Sequence, residues 1–190
     1  DHHATTPCDP RVVDAMLPYF TETFDNPAST LNTAGRKAAE AVDSSREMIA
    51  DVLGVKTKEI IFTAGATESN NLALRGIAKQ APAERRQIIT MAIEHKSVLE
   101  TCRDLSEQGF DLKILPVRPD GRLDLLELKR ALSARTLIVS VQAASNEIGT
   151  LQDIEAISDL AHEQGAFVHC DAAQAVGNVP FDFLASGADL

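Results

Sequence analysis

Between Gly35 and Gly54 the small and apolar residues Ala38, Ala41, Val42, Ser45, Ile49, Val52 and Leu53 recur at helical spacing, with charges on the opposite face. That 3.6-residue period predicts an amphipathic helix. Gly54 is its natural stop, because glycine enters the left-handed C-terminal conformation without a Cβ clash. Downstream, short β-rich runs at Glu59 to Thr63, Gln87 to Ala92, Leu112 to Pro116, Thr136 to Val141 and Ala166 to Cys170 alternate with four helical segments. One helix runs through Leu72, Leu74 and Ile77, another opens near Ser97, and a third spans Leu123 to Leu132 behind the turn Pro119-Asp120-Gly121. Alternation of this kind needs crossover connections. It predicts an α/β fold, a three-layer αβα sandwich with a mostly parallel sheet covered on both faces. Residues 1–35 break the pattern, being rich in Pro, Thr and Asn with weak periodicity, and read as an arm; residues 36–190 carry the alternation.

Composition narrows the function classes. The 190 residues are 44% hydrophobic, enough to bury a sizeable core. A net charge of −10 and a pI near 4.9 argue against a general nucleic-acid or anionic-membrane binder. No apolar run reaches membrane-spanning length, and the opening Asp1-His2-His3-Ala4-Thr5-Thr6-Pro7 lacks the regions of a secretion signal, so a cytoplasmic location is the expectation. Cys8, Cys102 and Cys170 are odd in number and form no Cys-x-x-Cys pair. They suggest isolated thiols, neither a disulfide framework nor a zinc site, and no metal is expected.

Chemistry concentrates where strands end. The apolar run Ala166-Phe167-Val168 continues into His169-Cys170-Asp171-Ala172-Ala173-Gln174, placing an acid at the carboxyl end of a buried strand, the rim where ligands sit in open α/β sheets. A carboxylate there suits a protonated ring nitrogen, as in pyridoxal phosphate, whose pyridinium acts as an electron sink. Gly65-Ala66-Thr67 lies between a strand-like run and a helix. It reads either as a phosphate cradle of backbone amides with the Thr67 hydroxyl as an added donor, or as an ordinary Thr N-cap with Glu68 in the first turn. His95 follows a strand on the same rim, and imidazole suits acid/base work near neutrality. Asn146 follows another strand and reads as a ligand contact or as a turn former before Gly149. Lys96 stands at a helix start facing solvent. No Gly-x-Gly-x-x-Gly or Gly-Lys-Ser/Thr run is present, so dinucleotide and P-loop sites have no support.

Taken together, Gly65-Ala66-Thr67-Glu68-Ser69, Glu94-His95, Asn146-Glu147-Ile148-Gly149 and the Asp171 run resemble the class V aminotransferase superfamily, and within it the cysteine desulfurases. The resemblance covers essentially the whole chain. It implies the fold type I large domain, incomplete here, and pyridoxal 5'-phosphate as cofactor. It implies Ala66 and Thr67 at the phosphate, His95 stacked on the ring and in acid/base service, Asn146 and Gln174 at the phenolic oxygen, and Asp171 at the ring nitrogen. It also implies L-cysteine as substrate, L-alanine as product, a persulfide passed to a sulfur-acceptor or scaffold protein for iron–sulfur cluster or thiocofactor assembly, and a homodimer with its active site at the subunit interface. Residues 1–35 would be an arm with a share of the small domain, and 36–190 part of the cofactor-binding large domain.

Two positions depart from the family pattern: Asn32 stands where many relatives carry His, and Ser145 where many carry Asn. The family's Ser-x-His-Lys run, whose lysine forms the Schiff base, would follow the next strand, which the resemblance implies that Ala188-Asp189-Leu190 begins; Lys37, Lys56, Lys58, Lys79, Lys96, Lys113 and Lys129 all lack that context. The expectation is therefore an amino-terminal portion, inactive alone. A selenocysteine or cysteine-sulfinate lyase would share every residue quoted, and a noncatalytic scaffold is the alternative from another class.

Overall fold

A computed structural model describes residues 1–3, 5–29 and 31–190; Ala4 of the opening run lies outside the described residues. The chain divides into two compact units, Asp1–Ile61 and Phe62–Leu190.

The first unit holds α1 (Pro10–Met16), α2 (Pro18–Thr21) and α3 (Thr33–Leu53). Pro10 opens α1, where its missing N–H costs nothing, and Asp9 caps that helix by accepting from the Arg11 amide. The long helix predicted from Gly35 to Gly54 is α3. Asn32 caps its start, accepting from the Gly35 amide at 2.6 Å, and Gly54 ends it in the left-handed conformation at φ 70°. Gly35 has a second reason to be glycine, since a Cβ there would lie 2.1 Å from the Ser29 carbonyl oxygen. Behind α3, Thr57–Glu59 forms a 3₁₀ turn closed by the Lys56 amide donating to the Glu59 carboxylate.

This turn corrects the first β-rich run, Glu59 to Thr63. Its opening residue belongs to the 3₁₀ turn, and Ile60 to Thr63 are in no strand. A strand is defined by its neighbour, and β-branched residues without a ladder leave only an extended segment. Ile61 is accordingly 68% exposed.

The second unit is the predicted αβα sandwich. Its elements are α4 (Ala66–Lys79), β1 (Gln87–Met91), α5 (Lys96–Glu107), β2 (Asp111–Leu115), α6 (Leu125–Ala131), β3 (Thr136–Gln142), α7 (Ile154–Glu163), β4 (Phe167–Asp171) and α8 (Phe183–Ser186). The four strands run parallel in the order β2-β1-β3-β4. β1 and β3 are buried along their whole lengths, as central strands covered on both faces must be. Leu74 and Ala78 of α4 and Val98, Cys102 and Leu105 of α5 pack with Ile88 and Ile138 on one face. On the other, Leu128 of α6 and Ile154, Ile157 and Ala161 of α7 pack with Ile89, Met91, Val139, Val141 and Val168. The last residues lie along β4: Leu190 donates to the Val168 carbonyl at 3.2 Å and accepts from the Cys170 amide at 2.9 Å, the two bonds of a parallel pairing step.

Candidate active site

Parallel strands bring all their carboxyl ends to one rim. From β1 the chain leaves to α5 on one face, and from β3 it leaves to α7 on the other. Connections that part in this way open a crevice between the two strand ends. Glu94 and His95 follow β1, Asn146 follows β3, Asp171 ends β4 and Gln174 lies just beyond it.

Asp171 is half-buried and both of its carboxylate oxygens are held. Oδ1 accepts from the Ala173 amide at 3.1 Å, and Oδ2 accepts from the Asn70 side-chain amide at 2.8 Å. Asn70, buried on α4, also donates to the Ser97 hydroxyl at 3.0 Å, and that hydroxyl lies 2.8 Å from His95 Nδ1. The Ser97 backbone amide donates to the same Nδ1 at 3.2 Å, which makes His95 the N-cap of α5. Asp171 and His95 are thus joined through two residues that sequence reasoning missed. Asn70 did leave a signal, since a buried Asn inside a helix forfeits helix propensity and needs a partner.

At α4 the two readings of Gly65-Ala66-Thr67 separate. The N-cap is Gly65, with φ 156° and ψ 176° and no side chain to cap with, so Thr67 is the second helical residue and does not cap the helix. Glu68 folds back to accept from the Ala64 amide at 2.6 Å. The helix begins with its first-turn amides free of any side-chain cap, and Ala66 and Thr67 are exposed. Such a terminus attracts anions through its aligned N–H groups. Thr67 and His95 open onto one groove of about 460 Å³ between α4 and α5, further lined by Asn71, Arg75, Glu100 and Asp104.

Glu94 is the other residue that the sequence left without a role. It is 6% exposed, its Oε1 accepts from the Gln142 backbone amide at 2.8 Å, and its Oε2 is buried with no partner among the described residues. Burial pushes its carboxyl up to about 8, with the nearby Asp171 charge adding to the rise, against the lowering from the Gln142 bond. Glu94 is therefore neutral at pH 7, and Asp171 does not share the crevice with a second anion. Beneath Asp171, His169 is buried with Nδ1 2.8 Å from the Ser140 hydroxyl, and desolvation lowers its imidazole to about 4. The Cys102 and Cys170 thiols are pushed up to about 12, first by burial, which leaves them as packing groups.

Asn146 is half-buried in the turn between Ser145 and Gly149, where the Ser145 hydroxyl accepts from the Glu147 and Ile148 amides. Gln174, also half-buried, accepts from the Asn178 side chain through its backbone carbonyl at 3.3 Å. Both stand on the crevice rim, and no hydrogen bond of the Asn146 side chain links it to the Asp171–His95 network among the described residues. Lys96 is exposed at the first position of α5. No group of three or more His, Cys, Asp or Glu residues able to hold a metal ion occurs among the described residues.

Known proteins are similar to this chain along its whole length. The cysteine desulfurase IscS of Rickettsia africae (strain ESF-5) is 48% identical over 190 residues, which is 100% of this chain and 46% of that relative. The chain thus spans about half the length of the curated relatives it matches. Among solved structures it is similar to a NifS-like protein, with a TM-score of 0.95 and 39% identity over 100% of this chain and 52% of the other. It is also similar to SspA in complex with cysteine, with a TM-score of 0.93 and 38% identity over 100% of this chain and 54% of that one. The model of the class-V aminotransferase family matches residues 1–190, and the chain belongs to that family.

Proposed function

We propose that the chain carries the cofactor-binding residues of a pyridoxal-phosphate-dependent cysteine desulfurase, an enzyme that converts L-cysteine to L-alanine and passes the sulfur as a persulfide to an acceptor protein, for iron–sulfur cluster or thiocofactor assembly. The observation that carries this reading is Asp171: a half-buried carboxylate at the end of β4 with both oxygens anchored, linked by hydrogen bonds to His95. Relatives at 48% identity are named cysteine desulfurases. Class V aminotransferases and cysteine desulfurases are pyridoxal-phosphate-dependent.

The residues fit that cofactor in charge and kind. A fixed carboxylate suits a pyridinium nitrogen, an uncapped helix start suits a phosphate, and an exposed imidazole suits the face of a ring. When bound, the cofactor supplies the electron sink for the carbon chemistry. Asp171 would hold a proton on the ring nitrogen. Ala66 and Thr67 would hold the phosphate, Asn146 and Gln174 would address the phenolic oxygen, and His95 would stack on the ring and hold or move a proton at its outward nitrogen. Glu94, neutral at pH 7, leaves Asp171 as the anion facing the ring.

We assign residues 1–35 as an arm with a share of the small domain and 36–190 as part of the large domain. Exposed apolar side chains of the arm, including Met16, Leu17, Tyr19, Phe20 and Phe24, suit a homodimer contact. Three free thiols suit a reducing, cytoplasmic compartment. Among the described residues no helix is long and apolar enough to cross a membrane.

Absorbance titration with pyridoxal phosphate tests the cofactor. Binding is expected, with Asp171→Asn weakening it about tenfold, or about 1.4 kcal/mol. A correctly folded chain that binds none, or that binds it equally with Asn at position 171, overturns the assignment. For the reaction, the full-length protein supplied with L-cysteine should release L-alanine. Turnover of selenocysteine or cysteine sulfinate alone would replace the substrate.

A further inference from the structure

The contacts between Asp171 and His95 contain more than proximity, because each donor in the chain has a limited number of hydrogens. Asp171, ionised, can only accept. The Asn70 amide nitrogen must therefore be the group that faces Oδ2 at 2.8 Å, and this fixes the orientation of an otherwise ambiguous amide. Its second hydrogen goes to the Ser97 oxygen at 3.0 Å. Ser97 Oγ thus receives a hydrogen from Asn70 and has one of its own to place. His95 Nδ1 lies 2.8 Å away, and the Ser97 backbone amide already donates to that nitrogen at 3.2 Å. A ring nitrogen that faces two donors accepts. The ring proton of neutral His95 then sits on Nε2.

We propose that Asn70 is a positioning residue that orients Asp171 and, through the Ser97 hydroxyl, holds His95 in the Nε2–H tautomer. One amide on α4 thereby sets the direction of the carboxylate on β4 and the proton position on the N-cap of α5. The two groups lie 76 positions apart in sequence, and Asn70 contacts one directly and the other through a single hydroxyl. Its 3% exposure keeps water from replacing either bond. Nε2 is then the ring atom at which His95 offers or takes up a proton, and Nδ1 is occupied in holding the loop. The consequence for catalysis rests on the pyridoxal-phosphate reading; the tautomer itself does not.

The test is made on the chain without cofactor, so that its outcome is separate from that of the titration above. With ¹⁵N-histidine labelling, two-bond ¹H–¹⁵N correlation spectra at pH 7.5 report which ring nitrogen carries the proton, and His95→Gln assigns the signals. The parent is expected to show the Nε2–H pattern. Asn70→Leu, of similar volume, frees the Ser97 hydroxyl and should move both ring nitrogens toward a tautomer average. Ser97→Ala should do the same, and Ser97→Thr, which keeps the hydroxyl, should restore the parent pattern. An Nδ1–H pattern in the parent overturns the proposal, as does a folded Asn70→Leu chain with unchanged ring nitrogens. Should Asn70→Leu fail to fold, the Ser97 pair decides: identical Ala and Thr spectra overturn the relay through the hydroxyl. Normal cofactor binding with the wrong tautomer defeats this inference alone, and the expected tautomer with no cofactor binding defeats the functional reading alone.

Discussion

Glu94 and His169 are two buried ionisable residues whose neutral forms the fold favours, and they oppose each other in their effect on stability. Glu94 is raised from 4.5 to about 8, so between those values the folded chain keeps a proton that the unfolded chain has lost, and stability falls as pH rises through that window. His169 is lowered from 6.5 to about 4, so between those values the folded chain lacks a proton that the unfolded chain holds, and stability falls as pH drops. From pH 4.5 to 6.5 the two slopes offset each other; above 6.5 that of Glu94 is left. Urea unfolding should therefore show a loss of about 1 kcal/mol between pH 6.5 and 8 that Glu94→Gln removes. A parent curve flat over that interval, or a Gln variant that keeps the slope, would show that Glu94 does not hold its proton in the folded chain.

At the scale of elements, the start of α4 depends on one glycine. Gly65 adopts φ 156° and ψ 176°, a region that a Cβ makes costly, although nothing lies within 4 Å of where that Cβ would be. Gly65→Ala should cost about 1–3 kcal/mol in strain, without a packing defect. Chemical denaturation should show a lowered midpoint and an unchanged m-value. A loss below 0.5 kcal/mol, taken as about the noise of surface substitutions, would mean that the turn relaxes to a conformation open to any residue. Helix boundaries elsewhere follow local chemistry: Asn32 and Gly54 bracket α3, and Asp124 and Asp153 cap α6 and α7. The Gly54 stop was readable because such a signal acts over three or four residues; Asn32, Asp124 and Asp153 act over the same range and went unread. Ile60 to Thr63 was misread for the opposite reason, since a strand depends on a neighbour that no local pattern specifies.

For the whole molecule, the sheet keeps the rim rigid. Ile138, fully enclosed on β3, packs on the face shared by α4 and α5, the two helices that carry Asn70 and Ser97. Ile138→Ala should cost about 2–5 kcal/mol through lost burial and a residual cavity. Thermal unfolding measures it, and a loss under 1 kcal/mol would mean that the face can collapse around the gap. The two sides of this sheet were legible as alternating runs, but the order β2-β1-β3-β4 was not. That order creates the crevice, because it sends the connections after β1 and β3 to opposite faces.

By itself the sequence determined the αβα alternation, the long helix from its period and its Gly54 stop, the strand ends and turns that carry Asp171, His95 and Asn146, and the helix start that carries Thr67, because these are written in short-range patterns. Tertiary structure decided what those residues do to one another. Asn70 reaches a carboxylate 101 positions away, the Ser97 hydroxyl meets a ring nitrogen, and Glu94 keeps its proton because β1 and β3 enclose it. None of these has a local signature. Orientation, protonation and burial depend on which distant segments share a low-dielectric interior, and only the packed sheet and its helices fix that.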